Sequence, residues 1–548
     1  MIKPAEPGRW LALTLGAFFL LTAALGLASN GVYQDDDLTH FLFARWAGWF
    51  PSYLLHVWGR PGLTIPLFAV SWLSDIDTAW HGARLLSAVA TAASALIAAR
   101  LAMRMGVARP WLVVVLCYAQ PLASVLATTT LTENFAGLYL VAAAALLQTK
   151  RVVSGSVMFS LLLVTRHEAA ALLPMWMVGV WMASGGKGRL IAAVIATAIA
   201  PIAHNVTFFA TFGTWPFSIF SQATGSTEYL PAGPLGYVPD ALYAMTPLIL
   251  ALAIVGGAAM WRRGEWLTPA LAGTFLLTHI LVRWFGVFAS GGYGRFMVTV
   301  APLAAILATA GLEELRAFSR SGRRSYGPWV VIAAVWLIGL AAIEQQRTAG
   351  RFVMDDRLIW SLRICVVAIV VLALWLGSAA RSAWARRAGL GVLGLTVLAQ
   401  WIVIVTPLRE RGAQRFTRDI ARWLQKQGYS DGPFFATNPW FSLHLDLIEN
   451  PRAHKGPTLL ASMPVGTVVL WDSEYSGSDY HRIELDRLRD AAHYELLAEF
   501  RSQWQTPLRV WAFKKISPTP LPESPDECYP PNPAAEKDPV LGVYYLRP

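Results

Sequence analysis

The chain has 548 residues, of which 55% are hydrophobic and only 14% are charged. This composition excludes an ordinary soluble globular protein and favours a chain that crosses a membrane many times. The formal net charge is +11, but the basic residues form no patch interleaved with exposed aromatic residues, so no nucleic-acid partner is expected.

Runs of mostly apolar residues, each about long enough to cross a bilayer, recur along the first three-quarters of the chain. They predict an all-α polytopic membrane domain over residues 1–406, with about thirteen transmembrane helices. The predicted spans are 10–28, 81–103, 110–128, 134–149, 152–165, 169–184, 189–211, 241–261, 266–286, 296–312, 328–344, 359–379 and 389–406. The first is too long, and too clearly one of a series, to be a cleaved signal peptide.

Lysine and arginine residues in the short loops predict the orientation, because cytoplasmic loops carry an excess of them. With the N-terminus in the cytoplasm, alternate loops collect most of the basic residues. These are Arg100, Arg104, Arg109, Lys150, Arg151, Lys187, Arg189, Arg262, Arg263, Arg316, Arg320, Arg323, Arg324, Arg381, Arg386 and Arg387. The chain is therefore predicted to be a multi-pass protein of a bacterial inner or plasma membrane, with the segment after residue 406 on the exoplasmic side.

The first exoplasmic loop, residues 29–80, opens with three consecutive aspartates, Asp35, Asp36 and Asp37, close to the hydrocarbon. Charge there is costly, so it indicates a function. A structural alternative is that the carboxylates stabilise the N-terminus of a helix through its dipole, but one aspartate would be enough for that. The rest of the loop is rich in aromatic residues and is predicted to form helices on the membrane surface.

Further polar side chains fall on the same predicted side of the membrane. Each alone has a plain structural explanation, such as an interfacial arginine or a glutamate at the start of a helix. Together they suit a substrate with an anionic head and a lipid tail. They are Arg60, Arg84, Glu133, Arg166, His167, Glu168 and Arg295.

Residues 407–548 are predicted to form a C-terminal α/β domain, periplasmic or otherwise exoplasmic, with a proline-rich tail. The charged stretch 409–427 predicts a helix. The runs GPFFATN and GTVVLWD predict two strands, and YELLAEFRSQWQTPLRVWAFKKI predicts an antiparallel pair. Cys117 and Cys365 lie in predicted spans, which leaves Cys528 alone in the tail and no disulfide in this domain.

Several motifs in this sequence resemble those of the GT-C membrane glycosyltransferases, above all the branch of protein O-mannosyltransferases and aminoarabinose transferases. The first is an acidic pair followed at fixed spacing by a ring residue and an alanine. The residues that match are Asp36, Asp37, His40 and Ala44, then Arg60–Pro61, then Ala83–Arg84–Leu85, and the later runs LTEN and GGYGRFMVTVAPL. TRHEAA also resembles a motif of the lipid-linked-oligosaccharide mannosyltransferases. This sequence departs from the branch in having Asp-Asp for Asp-Glu, histidine for tyrosine, and arginine for the lysine of the phosphate motif.

The resemblance implies a GT-C fold and a mannosyltransferase-like activity. Such enzymes transfer a sugar from a polyprenyl-phosphate donor, with inversion, to a hydroxyl of a lipid, glycan or protein acceptor on the exoplasmic side. The attacking hydroxyl needs a base, which a carboxylate supplies. The departing phosphate needs positive charge, which arginine supplies through paired donors.

The predicted roles follow from that chemistry. Asp36 is the predicted general base, with Asp35 as the second choice and Asp37 beside them. Arg60 is the main predicted partner of the donor phosphate, with Arg84 and Arg295 as helpers. The residues predicted to shape the sugar and acceptor pockets are His40, Glu133, Arg166, His167, Glu168 and Tyr293.

A divalent cation is an open alternative for the aspartates, because their oxygens suit magnesium, calcium or manganese, although no dedicated metal spacing is visible. Two other classes of protein also stay open. A lipid or solute transporter should show inverted repeats and charge at mid-membrane, whereas the charges here cluster at one face. A membrane-anchored binding or assembly protein would leave the loop motifs unexplained.

Overall fold

The computed structural model describes residues 7–72, 75–216, 231–286, 293–321, 327–348, 398, 401–402, 404–429, 432–449, 455–478, 481–503 and 507–518. The chain divides into two compact units, and neither is continuous in sequence. The helical unit comprises residues 1–28, 84–202 and 225–407, and the mixed unit comprises residues 29–83, 203–224 and 408–548.

Helices account for nearly all the regular structure of the described residues up to residue 348. The α-helices are α1 (Pro7–Leu27), α2 (Asp35–Trp46), α3 (Pro61–Ser71), α4 (Ile76–Arg104), α5 (Pro110–Tyr118), α6 (Pro121–Leu126), α7 (Glu133–Gln148), α8 (Val152–Thr165), α9 (Leu173–Ser184), α10 (Lys187–Phe212), α11 (Val238–Met245), α12 (Pro247–Arg262), α13 (Leu267–Phe285), α14 (Ala301–Ser321) and α15 (Gly327–Thr348). Short 3-10 helices cover Pro51–Leu55, His167–Leu172 and Gly294–Val300.

Four helical stretches among the described residues are long and apolar enough to cross a membrane, and a bent pair makes a fifth candidate. They are Gly8–Leu27, Ile76–Arg104, Lys187–Phe212 and Gly294–Ala317, with α11 and α12 as the pair. The predicted span 359–379 and most of 389–406 lie outside the described residues. The predicted number of thirteen spans therefore stays a prediction.

Some predicted spans are interrupted helices. The span 110–128 is divided between α5 and α6, where Pro121 cannot donate the backbone hydrogen bond that would continue the helix. The span 241–261 bends by 94° between α11 and α12. At this bend Thr246 has a φ of 69°, and its hydroxyl accepts a hydrogen bond from the Ile249 backbone at 3.3 Å. A positive φ is costly for a β-branched residue, and Pro247, which directly follows, disfavours a continuous helix through Thr246.

Two glycines allow α12 and α14 to pack closely. A Cβ atom at Gly256 would overlap the carbonyl oxygen of Leu307, and one at Gly311 would overlap that of Leu252. Small residues at such a crossing let two backbones approach and gain van der Waals contact, which drives helix association where lipid removes the hydrophobic effect.

The mixed unit contains a four-stranded sheet of order β1-β2-β4-β3, where β1 is Phe434–Ala436, β2 Val468–Asp472, β3 Tyr494–Arg501 and β4 Arg509–Lys515. Strands β1 and β2 are parallel, while β4 is antiparallel to both β2 and β3. The predicted strands and the predicted antiparallel pair are confirmed. The helices that follow residue 408 are α16 (Gly412–Lys426), α17 (Pro439–His444), α18 (Pro457–Ser462) and α19 (Leu485–Leu488).

Both faces of this sheet are covered, which explains why its central strands are almost continuously apolar. Alternate residues of a strand point to opposite faces. One face carries Phe434, Val468, Leu470, Val510 and Ala512, and packs with Ile420 and Leu424 of α16. The other carries Phe435, Val469, Trp511 and Phe513, and packs with Leu460 and Leu488.

Candidate active site

The three aspartates form the first turn of α2. The preceding residue, Gln34, has extended backbone and makes no side-chain capping hydrogen bond. Backbone N–H groups at a helix N-terminus carry partial positive charge, so carboxylates are stabilised there. The Asp36 side chain is exposed and Asp37 is buried. His40, also buried, lies four residues after Asp36 and therefore on the same side of the helix.

Asp35 is bound through both of its carboxylate oxygens to the C-terminal part of the mixed unit. The Trp440 indole donates to Oδ1 at 3.1 Å, and the Tyr475 hydroxyl donates to Oδ2. Trp440 lies on α17, and Tyr475 lies in the turn after β2. The start of α2 is therefore tied to two elements that are more than 400 residues further along the chain.

The other end of α2 is tied in the same way. The buried guanidinium of Arg45 donates to both oxygens of Asp446 at 2.9 Å and to the Ser71 carbonyl at 2.9 Å. The Trp46 indole donates to the Leu447 carbonyl at 2.7 Å. A bidentate arginine–carboxylate pair fixes geometry as well as charge. Helix α2 is thus fixed at both ends, and the aspartates stand on a rigid element.

Arg60 has an unusual backbone conformation. Its φ is 62° and its ψ is 99°, although it is not a glycine and it precedes Pro61. Hydrogen bonds hold it there, since its N–H donates to the His56 carbonyl at 3.0 Å and its carbonyl accepts from Leu63 and Thr64 at 2.8 and 2.9 Å. Such strain costs about 1–3 kcal/mol and is found preferentially at functional sites.

The Arg60 side chain is buried, with its guanidinium carbon 5.9 Å from the centre of the Trp58 ring. His56 is nearby, and burial lowers the pKa of its imidazole to about 4, with His204 adding to the effect. His204 contacts the Leu55 carbonyl through Nε2 at 2.8 Å. At neutral pH, His56 is therefore uncharged, and Arg60 supplies the permanent positive charge of this segment.

A second group of predicted residues forms a buried network within the helical unit. Glu133, at the start of α7, is completely buried. One guanidinium nitrogen of Arg166 donates to Glu133 at 3.0 Å and to the Thr132 hydroxyl at 3.0 Å, and another donates to Glu168. Arg295 Nε lies 3.4 Å from the same oxygen of Glu133. The two guanidinium groups and two carboxylates balance in charge, as buried ions must.

Aromatic rings flank this network. The Arg166 guanidinium carbon lies 3.9 Å from the centre of the Phe296 ring, and that of Arg295 lies 5.1 Å from the Tyr293 ring. The Tyr237 hydroxyl donates to the Tyr293 carbonyl at 3.1 Å, which fixes the start of the 3-10 helix Gly294–Val300. Desolvated cation–π contacts of this kind contribute about 2 kcal/mol. The arginines are thus oriented by rings as well as by charge.

The structure places the predicted residues in two groups, each within one unit. The mixed unit holds Asp35, Asp36, Asp37, His40 and Arg60, and the helical unit holds Arg84, Glu133, Arg166, His167, Glu168, Tyr293 and Arg295. Arg84 is buried on α4, and His167 is half-buried at the start of a 3-10 helix. Among the described residues, no group of three or more His, Cys, Asp or Glu side chains could hold a metal ion. The divalent cation stays an open alternative.

Sequence reasoning missed the partners of α2, namely Trp440, Tyr475 and Asp446, and it missed that Arg45 of α2 binds Asp446. The one available signal was the acidic residue at the end of a predicted strand, Asp472, whose carboxylate organises the turn that carries Tyr475. Nothing in the local pattern connects that turn with the first loop, because the pairing is made by long-range packing.

We expect Glu133→Gln to lower stability markedly, because it removes the counter-charge of two buried arginines. Breaking a buried pair from one side costs about 3–5 kcal/mol. The matched control is Glu314→Gln, whose partners Arg262 and Arg263 have exposed side chains, so its cost should be about 0–1 kcal/mol. Unfolding of the detergent-purified proteins measures both. Equal losses would contradict a special role for the buried network.

The fold is similar to that of a GT-C enzyme of the branch that the sequence motifs resemble. The chain is similar to two solved structures of ArnT, an aminoarabinose transferase, from Cupriavidus metallidurans. The form bound to undecaprenyl phosphate matches with a TM-score of 0.58 and 13% identity over 93% of this chain and 98% of ArnT. The apo form matches with a TM-score of 0.55 and 13% identity over 92% and 98%. No protein-family model and no curated protein sequence matches the chain.

Proposed function

We propose that this chain is an integral-membrane glycosyltransferase that takes a sugar from a polyprenyl-phosphate donor and passes it, with inversion, to an acceptor hydroxyl. The observation that carries the proposal is the fold likeness to ArnT, which extends over 93% of this chain and includes a structure with bound undecaprenyl phosphate. The donor would be a mannose-type or aminopentose-type sugar on such a carrier, in line with the branch that the first loop resembles.

The carboxylates of α2 support the chemical half of the proposal. Inverting transfer needs one base beside the acceptor hydroxyl and no acid for the leaving group, because phosphate departs as an anion. Asp36 suits this role, since its side chain is exposed on a helix that is fixed at both ends. Asp36 is therefore the proposed general base, and His40, one turn further along α2, is proposed to contact substrate.

Arg60 supports the donor half of the proposal. Its guanidinium keeps its charge at any physiological pH, and its paired donors suit a phosphate. The strained backbone at this position is consistent with a functional constraint. Arg84 and Arg295, both buried in the helical unit, are proposed as further contacts of the donor phosphate.

The buried network of the helical unit supports a structural role, rather than a direct chemical one, for some of the predicted residues. Arg166 already donates to two carboxylates and a hydroxyl, so we propose that it shapes a pocket wall together with Glu133 and Glu168. His167 and Tyr293, which border this network in sequence, are proposed to contact sugar or acceptor.

The loop charges support an exoplasmic reaction, with the N-terminus in the cytoplasm and the segment after residue 406 on the other side. An exoplasmic reaction suits a lipid-linked donor, because a polyprenyl phosphate carries the sugar to the site of transfer without a soluble nucleotide. The acceptor would then be a lipid, glycan or protein of the cell envelope.

Mass spectrometry of membrane lipids and envelope glycans tests this function directly. Cells that lack the gene should lose one glycosylated product and accumulate the matching polyprenyl-phosphate sugar. Purified protein should restore the product when it is mixed with that donor and with envelope extract. Identical lipid and glycan profiles in the two strains would overturn the proposal.

A further inference from the structure

We propose that Asp35 is a positioning residue, and that Tyr475 and Trp440 act through it to fix the direction of its neighbour Asp36. The inference rests on the proposed function, in which Asp36 is the general base. It assigns to the C-terminal part of the mixed unit a direct part in the reaction geometry, in addition to any contact with acceptor.

The first support is the geometry at Asp35. Its two oxygens accept from two different aromatic side chains, the Trp440 indole at 3.1 Å and the Tyr475 hydroxyl. Both donors are held by rings with few rotatable bonds, so they fix the plane of the carboxylate. Trp440 is buried and also packs edge-on against Trp80, with ring centres 6.4 Å apart.

The second support is the turn that presents Tyr475. The buried carboxylate of Asp472 accepts from the backbones of Glu474 and Tyr475 at 3.0 and 2.8 Å, and from the Thr437 and Ser476 hydroxyls at 3.2 Å. These four accepted hydrogen bonds make the turn rigid. Burial raises the pKa of Asp472, and the same hydrogen bonds act against that rise. The backbone that carries Tyr475 is therefore held in place independently of α2.

The third support is the protonation of Tyr475. Burial, and then the negative charge of Asp35, raise the pKa of its phenol above the ordinary value. The phenol therefore keeps its proton at physiological pH and serves as a hydrogen-bond donor to Asp35.

The position of Asp35 affects the reaction because Asp35 is adjacent to the proposed base. Asp36 is the next residue of the same helical turn, so a shift of Asp35 moves it as well. A misplacement of about 1 Å can lower a rate by about a hundredfold. Asp35 is consequently not the group that takes the proton, since both of its oxygens are used to anchor the helix.

The test is a double-mutant cycle on the full-length detergent-purified protein, with the donor identified by the lipid comparison. Tyr475→Phe should lower kcat about 10- to 100-fold and leave the KM for the donor within about twofold. In an Asp35→Ala background the same change should cost less than about twofold, because the hydroxyl no longer has a carboxylate to hold. Trp440→Phe, which removes the second donor, should lower kcat in the same direction.

Tyr429→Phe is the matched control, since this half-buried tyrosine packs on the sheet core of the same unit and should leave kcat unchanged. Unchanged kcat in both Tyr475→Phe and Trp440→Phe would overturn this inference but not the proposed function. So would additive losses in the cycle, or an equal loss in Tyr429→Phe. Failure of the wild-type protein to transfer sugar would instead overturn the proposed function, and the inference with it.

Discussion

Asp36→Asn protein is expected to transfer sugar about two to four powers of ten more slowly than wild type, which is the usual contribution of general acid–base catalysis. Asparagine keeps the size of the side chain and most of its hydrogen bonding, but it cannot accept the proton. Binding of the lipid-phosphate donor should survive, because the anionic head loses a repulsive neighbour. Transfer rate and donor affinity, measured separately on purified protein, check the two halves of this expectation.

The same substitution should hardly affect folding. A carboxylate in the first turn of a helix contributes about 0.3–1 kcal/mol through the helix dipole, so loss of activity would not reflect unfolding. Asp419→Asn on α16 is a suitable control, because its side chain is 67% exposed, and it should leave transfer unchanged. Near-normal transfer by Asp36→Asn protein would refute the assignment of the base.

Loss of the Arg60 guanidinium is expected to weaken donor binding about 10- to 100-fold, since hydrogen bonds to charged groups contribute about 1.5–3 kcal/mol. Arg60→Ala should therefore raise the Kd for the donor and also lower kcat. Arg60→Lys keeps the charge but loses the paired donors, so it should fall between wild type and alanine. Titration of a polyprenyl phosphate into the purified variants measures the effect.

Because Arg60 has a positive φ, the effect of its backbone strain on stability can be measured separately from the effect of its charge on donor binding. Glycine adopts φ values near 62° more readily than alanine, so Arg60→Gly should be more stable than Arg60→Ala while binding donor equally weakly. Arg422→Ala is the control, because its side chain is 62% exposed on α16. Normal donor affinity in both Arg60 variants would remove Arg60 from the donor site.

Periodicity and composition predicted much of the local structure. The observed helix α8 has the bounds predicted from its apolar run, and the strands of the mixed unit fall within the predicted segments. The breaks were harder to predict. Both breaks had a signal in the sequence, since Pro121 and Pro247 each begin the helix after the break. The 94° angle at Thr246 had no such signal.

The candidate site was predicted in part for the same reason. The sequence pointed to Asp36 and Arg60 as candidates through spacing, because residues that belong to one loop keep a readable pattern. It could not reveal that Arg166 donates to Glu133, Glu168 and Thr132. A charged residue looks the same in a sequence whether it faces a substrate or an oppositely charged side chain of the protein.

The sequence by itself predicted a chain that crosses a membrane many times, because a bilayer demands long apolar helices, and the fixed spacing of the first-loop motif gave its resemblance to the GT-C enzymes. Only the tertiary structure decided that residues 29–83 belong to one unit with residues 408–548, and that Asp35 is held by Trp440 and Tyr475. Local signals fix helices and strands, whereas contacts between residues 400 positions apart depend on the shape and hydrogen bonding of surfaces that exist only after folding.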